Sequence, residues 1–278
     1  MKRIWSACVI LIFSAVLISG CGNASDDEEI GNTEPTNEVV QDVVSETVDS
    51  GSAEAGEASL DADVDQNGVS EHIVLSGEDQ NQDGFTLKLG DASVVVEEAV
   101  GVDGKLALVK LNPETTLIAV PESGPSSDDA TWFFAYRDQT IIPVGKLEGK
   151  GDQLIFLGDG TVTSSRVRGQ ILHTWFHDQT YRLTAQDEWE PIKQDLYEMN
   201  TRVKALVELT LQKTRTNKSE SFTLHPGDEA VIKACDDKEW CLVQKGSQEG
   251  WFAVDDFNTI RSLNMTSDQV FDGLNFAD

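Results

Sequence analysis

Short apolar runs separated by turns dominate the pattern of hydrophobic and polar positions between residues 60 and 199. The runs are rich in β-branched residues, as in residues 72–75, 93–96 and 117–120. Asp-Gly and Gly-Asp pairs, which favour tight turns, lie between them, for example at residues 159–160. The pattern predicts antiparallel strands, because no long stretch of this region has the period of a helix.

Two segments of this region resemble one another weakly. Residues 131–140 (TWFFAYRDQT) are echoed by residues 174–180 (TWFHDQT), and the Asp-Gln-Thr triplets, which start at Asp138 and Asp178 and predict turns, are 40 residues apart. A repeat of about that length is typical of a four-stranded propeller blade. Residues 83–96 fit the matching hairpin of an earlier unit, which makes about three units, too few for an ordinary closed propeller. We therefore predict an all-β domain, either a propeller fragment or a sandwich.

A smaller β-rich segment follows over residues 200–262. Residues 203–211 predict an opening strand, and residues 225–228 (His-Pro-Gly-Asp) predict a turn. Residues 230–244 predict a hairpin and residues 250–254 a closing strand, which together predict a small barrel. In the tail, residues 263–278, an N-cap candidate precedes apolar residues and predicts a short helix. We expect that helix to dock on a neighbouring domain through Val270, Phe271 and Leu274.

The first twenty residues have the layout of a secretory signal peptide. A basic start precedes an apolar stretch, residues 4–18, which is shorter than the roughly 20 apolar residues that a membrane-spanning helix needs. Residues 18–21 (Ile-Ser-Gly-Cys) resemble a lipobox. This resemblance implies a bacterial lipoprotein that is tethered by a lipid on Cys21 to the outer face of the cell membrane. The alternative is that Cys21 merely follows an ordinary cleavage site.

Residues 21–59 form an acidic segment behind the lipidated cysteine. No Lys or Arg occurs between Arg3 and Lys88, and apolar residues are scattered. Such a segment cannot offset its ordering entropy by burying apolar surface, so it predicts an extended, disordered linker. It acts as a spacer or simply keeps the protein soluble, and its composition fits both. The formal net charge of -28 argues against nucleic acid as a partner, because phosphates would be repelled.

Residues 63–71 (DVDQNGVSE) carry the most specific chemistry in the chain. This pattern suits a hard cation such as calcium. It places oxygen-bearing side chains at positions 1, 3 and 5, glycine at 6, a backbone carbonyl at 7 and an acid at 9. An EF-hand needs Glu at position 12, where this chain has Val74, and a strand follows instead of a helix. A second string, residues 79–84, starts similarly but has Leu87 in the ninth position, which favours a plain hairpin turn.

The loop and the strand behind it resemble the calcium loop of FG-GAP or VCBS-type repeats. The resemblance implies calcium as a structural cofactor of the β-rich domain. The alternative is a turn of the same residues without a metal. The ligands implied by the resemblance are Asp63, Asp65, Asn67, Val69 through its carbonyl, and Glu71.

The barrel segment resembles a bacterial SH3-like (SH3b) domain. The resemblance is carried by Gly227-Asp228, an acidic turn, Trp240 followed by Val243, and residues 246–257 with their Gly-Trp-Phe triplet. It implies that the domain binds peptides or cell-wall peptidoglycan. The alternative is that these aromatic residues belong to the core of the barrel. The residues implied to line a ligand groove are Trp240, Trp251 and Phe252.

Two cysteines remain for the folded part once Cys8 leaves with the signal peptide and Cys21 takes the lipid. Outside the cytoplasm the remaining pair, Cys235 and Cys241, is most simply a disulfide. The alternative is a pair of free, buried thiols.

The chain contains no convincing set of catalytic residues. His173 and His177 lie in a predicted strand, where four residues span roughly 13 Å, too far to share one ion as neighbours. No Gly-x-Ser-x-Gly, His-Glu-x-x-His or phosphate-loop motif occurs. We expect a noncatalytic, surface-anchored module that binds cell-wall peptide, peptidoglycan or an envelope protein. The alternatives are an accessory subunit with no ligand of its own and a carboxylate-based hydrolase.

Overall fold

Antiparallel β-strands make up almost all the regular structure. This computed structural model describes residues 57–77, 84–216 and 219–276. Their strands form four sheets, so the all-β prediction is confirmed. The predicted signal peptide, Cys21 and the linker up to residue 56 lie outside the described residues, as do residues 79–83 of the second acidic string. Within the described part of the chain, no helix has the length and apolar character needed to cross a bilayer.

The first three sheets have four strands each, and neighbours in each sheet are consecutive in the chain. The first contains β1 (Glu57–Ala62), β2 (Glu71–Gly77), β3 (Phe85–Leu89) and β4 (Ala92–Val96). The second contains β5 (Ala107–Asn112), β6 (Thr115–Glu122), β7 (Ala130–Arg137) and β8 (Thr140–Glu148). The third contains β9 (Leu154–Phe156), β10 (Thr161–Gly169), β11 (Trp175–Leu183) and β12 (Trp189–Pro191).

The second sheet is buried on both faces. Strand β7 is buried at every residue except Arg137, which explains why its sequence is a continuous apolar run instead of an alternating one. Phe134 packs with residues of the first sheet, and Phe133 packs with residues of the third. Because successive strand residues point to opposite faces, one strand joins two cores, and the three sheets form a stack.

The spacing of the sheets differs from the predicted repeat. The third strand of each of these sheets begins at Phe85, Ala130 and Trp175, respectively, so the sheets repeat every 45 residues and not every 40. The first Asp-Gln-Thr triplet makes the β7–β8 turn, with positive φ at Asp138 and Gln139. The second triplet lies inside β11, so its predicted turn is wrong. The strand continues because Gln179 is buried and its amide donates to the carbonyl oxygens of Thr180 and Ile192.

The fourth sheet curls around its own apolar core. Its strands run in the order β15-β14-β18-β17-β16-β13-β21, and β19 and β20 extend from β18. Their bounds are β13 (Tyr197–Ala205), β14 (Leu209–Gln212), β15 (Glu220–Leu224), β16 (Glu229–Cys235), β17 (Trp240–Lys245), β18 (Gln248–Asp255), β19 (Thr259–Ile260), β20 (Met265–Thr266) and β21 (Phe271–Asp272). We refer to these strands as the barrel segment.

The start of the barrel segment differs from the prediction of one strand over residues 203–211. The chain bends after Ala205, so that β13 pairs with β16 whereas β14 pairs with β15 and β18. The predicted boundary between residues 199 and 200 falls inside β13. In the tail, a one-turn helix, α1 (Ser267–Val270), precedes β21. Val270 and Phe271 are buried in the barrel core, and Leu274 packs against it.

One loop joins the third sheet to the barrel segment. Ile171, Leu172 and Trp175 belong to the barrel core although β10 and β11 belong to the third sheet. The backbone N–H of Leu172 donates to the carbonyl oxygen of Phe257 at 2.7 Å. The Asp237 carboxylate accepts hydrogen bonds from the N–H groups of the residues just before Leu172. The two parts of the protein are therefore connected by packed side chains as well as by the chain itself.

Candidate functional site

Two tryptophans of the barrel segment share its outer face. Trp240 pairs with Ala253 and Leu242 pairs with Trp251 in the register of β17 and β18. These four side chains therefore form one continuous surface, which we call the ribbon. Both tryptophans are only partly buried. The ribbon is therefore a partly exposed apolar surface on two long, paired strands, which position it rigidly.

The third residue predicted for this surface lies elsewhere. Phe252 is 2 % exposed, and its ring centroid is 5.7 Å from that of Phe271 in the barrel core. It sits between Trp251 and Ala253 in the strand, and successive strand residues point to opposite faces. The structure therefore corrects the predicted groove: Phe252 belongs to the core.

An arginine covers each tryptophan. The guanidinium carbon of Arg215 is 5.3 Å from a ring centroid of Trp251, and that of Arg261 is 6.0 Å from Trp240. Side-chain hydrogen bonds that Arg261 donates, first to Asp255, raise the pKa of Arg261. The hydrogen bond that Arg215 donates to Asp195 is likewise the first cause of the raised pKa of Arg215. Each indole thus lies beside a cation held by carboxylates, which is an arrangement suited to binding positive charge.

The predicted metal loop brings its three carboxylates together. Ligand oxygens of Asp63, Asp65 and Glu71 all lie within 4.8 Å of one another, and this is the one such cluster among the described residues. Asp63 accepts hydrogen bonds from the N–H groups of Asn67 and Gly68, both at 2.9 Å. These bonds wrap the backbone around the carboxylates as the sequence pattern requires.

The spacing of these oxygens fits one calcium ion. Calcium binds oxygen at about 2.3–2.6 Å, so two oxygens on opposite sides of one ion lie about 5 Å apart at most. Gly68 has a φ of 87°, which supplies the sharp turn expected at position 6. Asn67 Oδ1 accepts the N–H of Val69 at 2.8 Å and would share this oxygen with the ion. The residues present therefore fit a hard cation.

The loop also touches the second sheet. Gln66 Nε2 donates to Thr116 Oγ1 at 3.3 Å, across the gap between the first and second sheets. Burial raises the pKa of the Tyr136 phenol, and the charges of Glu71 and Asp65 raise it further. A change of charge in the loop would therefore change the electrostatic environment of Tyr136, at the packed boundary between the first and second sheets.

Cys235 and Cys241 lie directly opposite each other on β16 and β17. Both are fully buried, and both are free cysteines in the structure, so the expected disulfide is not formed there. The N–H of Asp237 donates to Cys235 Sγ at 3.3 Å. Burial raises the pKa of the Cys241 thiol, with a further contribution from Cys235, so Cys241 is an unreactive protonated thiol.

The two histidines singled out in the sequence have separate partners. His173 lies in the loop before β11, and its ring Nε2 is 3.1 Å from Thr201 Oγ1. His177 lies on β11 and stacks on Tyr197 with ring centroids 4.2 Å apart. Both are buried, and burial lowers the pKa of His173. Their surroundings are those of packing residues.

One polar cluster was missed at the sequence level. Lys150 Nζ is 2.5 Å from Ser123 Oγ, which is a pairing used for nucleophilic catalysis when the amine is neutral. Burial opposes the charged amine, but the hydrogen bonds that it donates to Asp103 and Asp129 outweigh burial and raise the pKa of Lys150. The amine is therefore protonated and cannot accept the serine proton. The residues lie far apart in sequence, and no local motif connects them.

A buried carboxylate next to this cluster is fully engaged. Glu122 is 4 % exposed, accepts the indole N–H of Trp132 at 2.6 Å, and accepts Lys146 Nζ at 2.9 Å. A carboxylate that is paired in this way ties the end of β6 to β7 and β8 of the second sheet.

The comparisons with known proteins give no match to this chain, whether among protein-family models, curated proteins or solved structures.

Proposed function

We propose that this protein is a noncatalytic binding module of the bacterial cell surface. In this proposal a lipid on Cys21 tethers it to the outer face of the cell membrane, and residues 21–59 act as a spacer. The barrel segment serves as an SH3-like domain that engages cell-wall peptide. The main support is the partly exposed ribbon that contains Trp240 and Trp251.

The ribbon supports this function because of where it lies. Aromatic residues supply rigid contact area, and tryptophan is enriched at sites that dominate binding energy. Here two tryptophans lie on adjacent strands with Leu242 between them, while the barrel core is filled from the opposite face. Their position therefore serves contact with a partner more than it serves the core.

Calcium is proposed as a structural cofactor of the loop at residues 63–71. The support is the cluster of Asp63, Asp65 and Glu71 oxygens, whose spacing fits one ion. Asp63 and Asp65 lie in the loop between β1 and β2, and Glu71 is the first residue of β2. The proposed role is therefore to hold the start of the β-rich domain together and not to activate a substrate.

A disulfide between Cys235 and Cys241 is proposed for the protein once it is outside the cytoplasm. The support is their direct opposition across a hairpin. Both sulfurs are fully buried, so a thiol oxidant of that compartment would have to take up the two electrons and two protons of the thiols while the barrel is still open.

The test is co-sedimentation of the full chain, carrying Cys21→Ser to prevent lipidation, with purified cell-wall sacculi. We expect saturable pelleting that is lost in a Trp240→Ala, Trp251→Ala double variant with an unchanged circular dichroism spectrum. A control variant, Phe176→Ala, removes a partly exposed aromatic from the third sheet and should pellet normally. Protein that stays in the supernatant would refute wall binding and favour an envelope protein partner or an accessory role.

A further inference from the structure

The two arginines that cover the tryptophans are held with different strength. Arg261 donates two hydrogen bonds to Asp255, at 2.8 and 2.6 Å, and its Nη1 is 2.6 Å from Glu239 Oε1. Arg215 donates to Asp195, whose side chain is 74 % exposed, and its Nη1 is 3.7 Å from Asp236 Oδ2. Arg215 therefore has one carboxylate within hydrogen-bond distance where Arg261 has two, so Arg215 is easier to displace than Arg261.

A buried acceptor lies beside the tryptophan that Arg215 covers. Gln212 is the register partner of Trp251 across β14 and β18, so the two side chains project from the same face. Gln212 Oε1 is buried and has no hydrogen-bond partner. Buried acceptors are normally paired, and this one needs a donor. We call the group consisting of Trp251, Asp195, Asp236 and Gln212 the Trp251 site.

We propose that the Trp251 site binds the primary ammonium group of a peptide ligand, and that Arg215 occupies the site in the free protein. This inference rests on the proposed function, because it names the chemical group by which the barrel segment recognises a peptide. Arg215 is thus an internal competitor that the ligand displaces.

The chemistry of the site selects a cation. The face of an indole attracts a positive charge, and the carboxylates of Asp195 and Asp236 add to that attraction. An ammonium group also carries three N–H donors, one of which can satisfy Gln212. An anionic ligand would instead face both carboxylates in a protein of formal net charge -28.

The test measures binding of the peptide acetyl-Ala-Lys-Ala-amide by calorimetry to the full chain carrying Cys21→Ser. An Arg215→Ala variant should bind it at least about fivefold more tightly than the parent, because the fraction of open sites rises. Lys213→Ala is the matched control: Lys213 lies on the same loop, and its loss changes the net charge equally. It should stay within about twofold of the parent. The ε-N-acetylated peptide, which lacks the charge, should not bind.

Each outcome decides one of the two proposals. Equal affinities of the Arg215→Ala and Lys213→Ala variants, or equal binding of the acetylated peptide, would overturn the ammonium site. If Arg215→Ala melts at a lower temperature, Arg215→Gln provides the same comparison with less disturbance. Pelleting with sacculi combined with no preference for the amine would leave wall binding standing and refute this inference. Tight binding of the amine peptide without pelleting would support the ammonium site and refute wall binding.

Discussion

At the scale of single residues, the two groups with the clearest chemistry are the metal loop and the buried histidine beside the barrel. In the loop, Asp65 both accepts hydrogen bonds from Asn67 and belongs to the carboxylate cluster. Its removal therefore weakens the turn and the proposed ion site together. The two effects can be separated, because only the second depends on calcium.

We expect calcium to raise the melting temperature of the parent protein and to leave that of Asp65→Ala unchanged. Ligand at about one hundred times its dissociation constant stabilises a folded state by about 2.7 kcal/mol. Asp61→Ala is the control, because Asp61 lies on β1 beside the loop and pairs with His72 instead of joining the cluster. Differential scanning calorimetry in calcium and in chelator measures the shifts. Equal shifts in the parent and Asp65→Ala would contradict the site.

The buried His173 predicts a loss of stability in mild acid. Burial lowers its pKa in the folded state, and its Nδ1 is buried without a hydrogen-bond partner. A lowered folded-state pKa means that the unfolded chain binds the proton more readily. The stability that neutral His173 contributes is therefore present above the unfolded-state pKa of about 6.5. This stability is lost as the pH falls below that value.

The measurement is urea unfolding between pH 7.5 and 5. One proton changes the free energy of unfolding by at most about 1.4 kcal/mol per pH unit. His173→Gln keeps a polar group for Thr201 but cannot be protonated, so its unfolding free energy should fall less steeply with decreasing pH than that of the parent. Parallel pH profiles for the two proteins would rule out His173 as the cause.

At the scale of elements, close packing explains two glycines of the barrel and its joint. A Cβ atom added at Gly250 would lie 2.6 Å from Leu211 Cβ, and one added at Gly169 would lie 2.1 Å from the Trp175 indole. Neither glycine has a positive φ. Their role is to let a neighbouring side chain approach the backbone, and not to form a turn.

Gly250→Ala should lower the free energy of unfolding by about 1–3 kcal/mol, the range for overpacked cores. The clash involves a Cβ atom, which moves only if the backbone of β14 moves. Gly246→Asn serves as the control: its φ of 60° suits Asn, and nothing lies within 4 Å of an added Cβ. Chemical denaturation of both variants tests the prediction, which fails if Gly250→Ala is as stable as the control.

The sequence predicted local features well and the outcome of packing poorly. Alternating and β-branched runs predicted the strands, because that pattern depends on which face is buried. The spacing of residues 63–71 predicted a turn whose carboxylates converge, because those contacts are local. The prediction for Phe252, by contrast, is wrong. Trp251 and Phe252 are adjacent aromatic residues, so the sequence alone does not show which of the two faces the core; the pairing of the strands decides it.

Contacts between distant residues had no signal in the sequence. The cation over Trp251 comes from Arg215, 36 positions earlier in the chain, and Lys150 reaches Ser123 and Asp103 from the loop after β8. The triplet at Asp178 looked like a turn because it copies the one at Asp138. Its strand continues through the triplet because Gln179 is buried and bonded to Ile192.

At the scale of the whole molecule, the question is whether the stack of sheets and the barrel segment unfold together. The second sheet shares a core with each neighbour, so the stack has no exposed internal boundary. The barrel segment is attached through residues 170–175, whose apolar members lie in its core. Extensive apolar contact of this kind favours a single cooperative transition.

Asp237 provides the test of that coupling. Its Oδ1 accepts the N–H groups of Gln170 and Ile171 at 2.7 and 3.1 Å, from the loop that enters the barrel core. Its φ of 52° is left-handed, so Asp237→Gly keeps the backbone relaxed and removes only the acceptor. Asp237→Asn keeps both the acceptor and a residue that tolerates this conformation.

We expect Asp237→Gly to lose about 1–3 kcal/mol, because the N–H of the buried Ile171 loses its partner along with that of the exposed Gln170. The loss should appear as a transition that broadens or splits in calorimetry, since the joint weakens before either part does. Asp237→Asn should unfold in one transition close to that of the parent. If Asp237→Gly also unfolds in one sharp transition at a lower temperature, the packing of Ile171, Leu172 and Trp175 alone is enough to couple the two parts. If it unfolds at the same temperature as the parent, the hydrogen bonds at Asp237 contribute nothing to the joint.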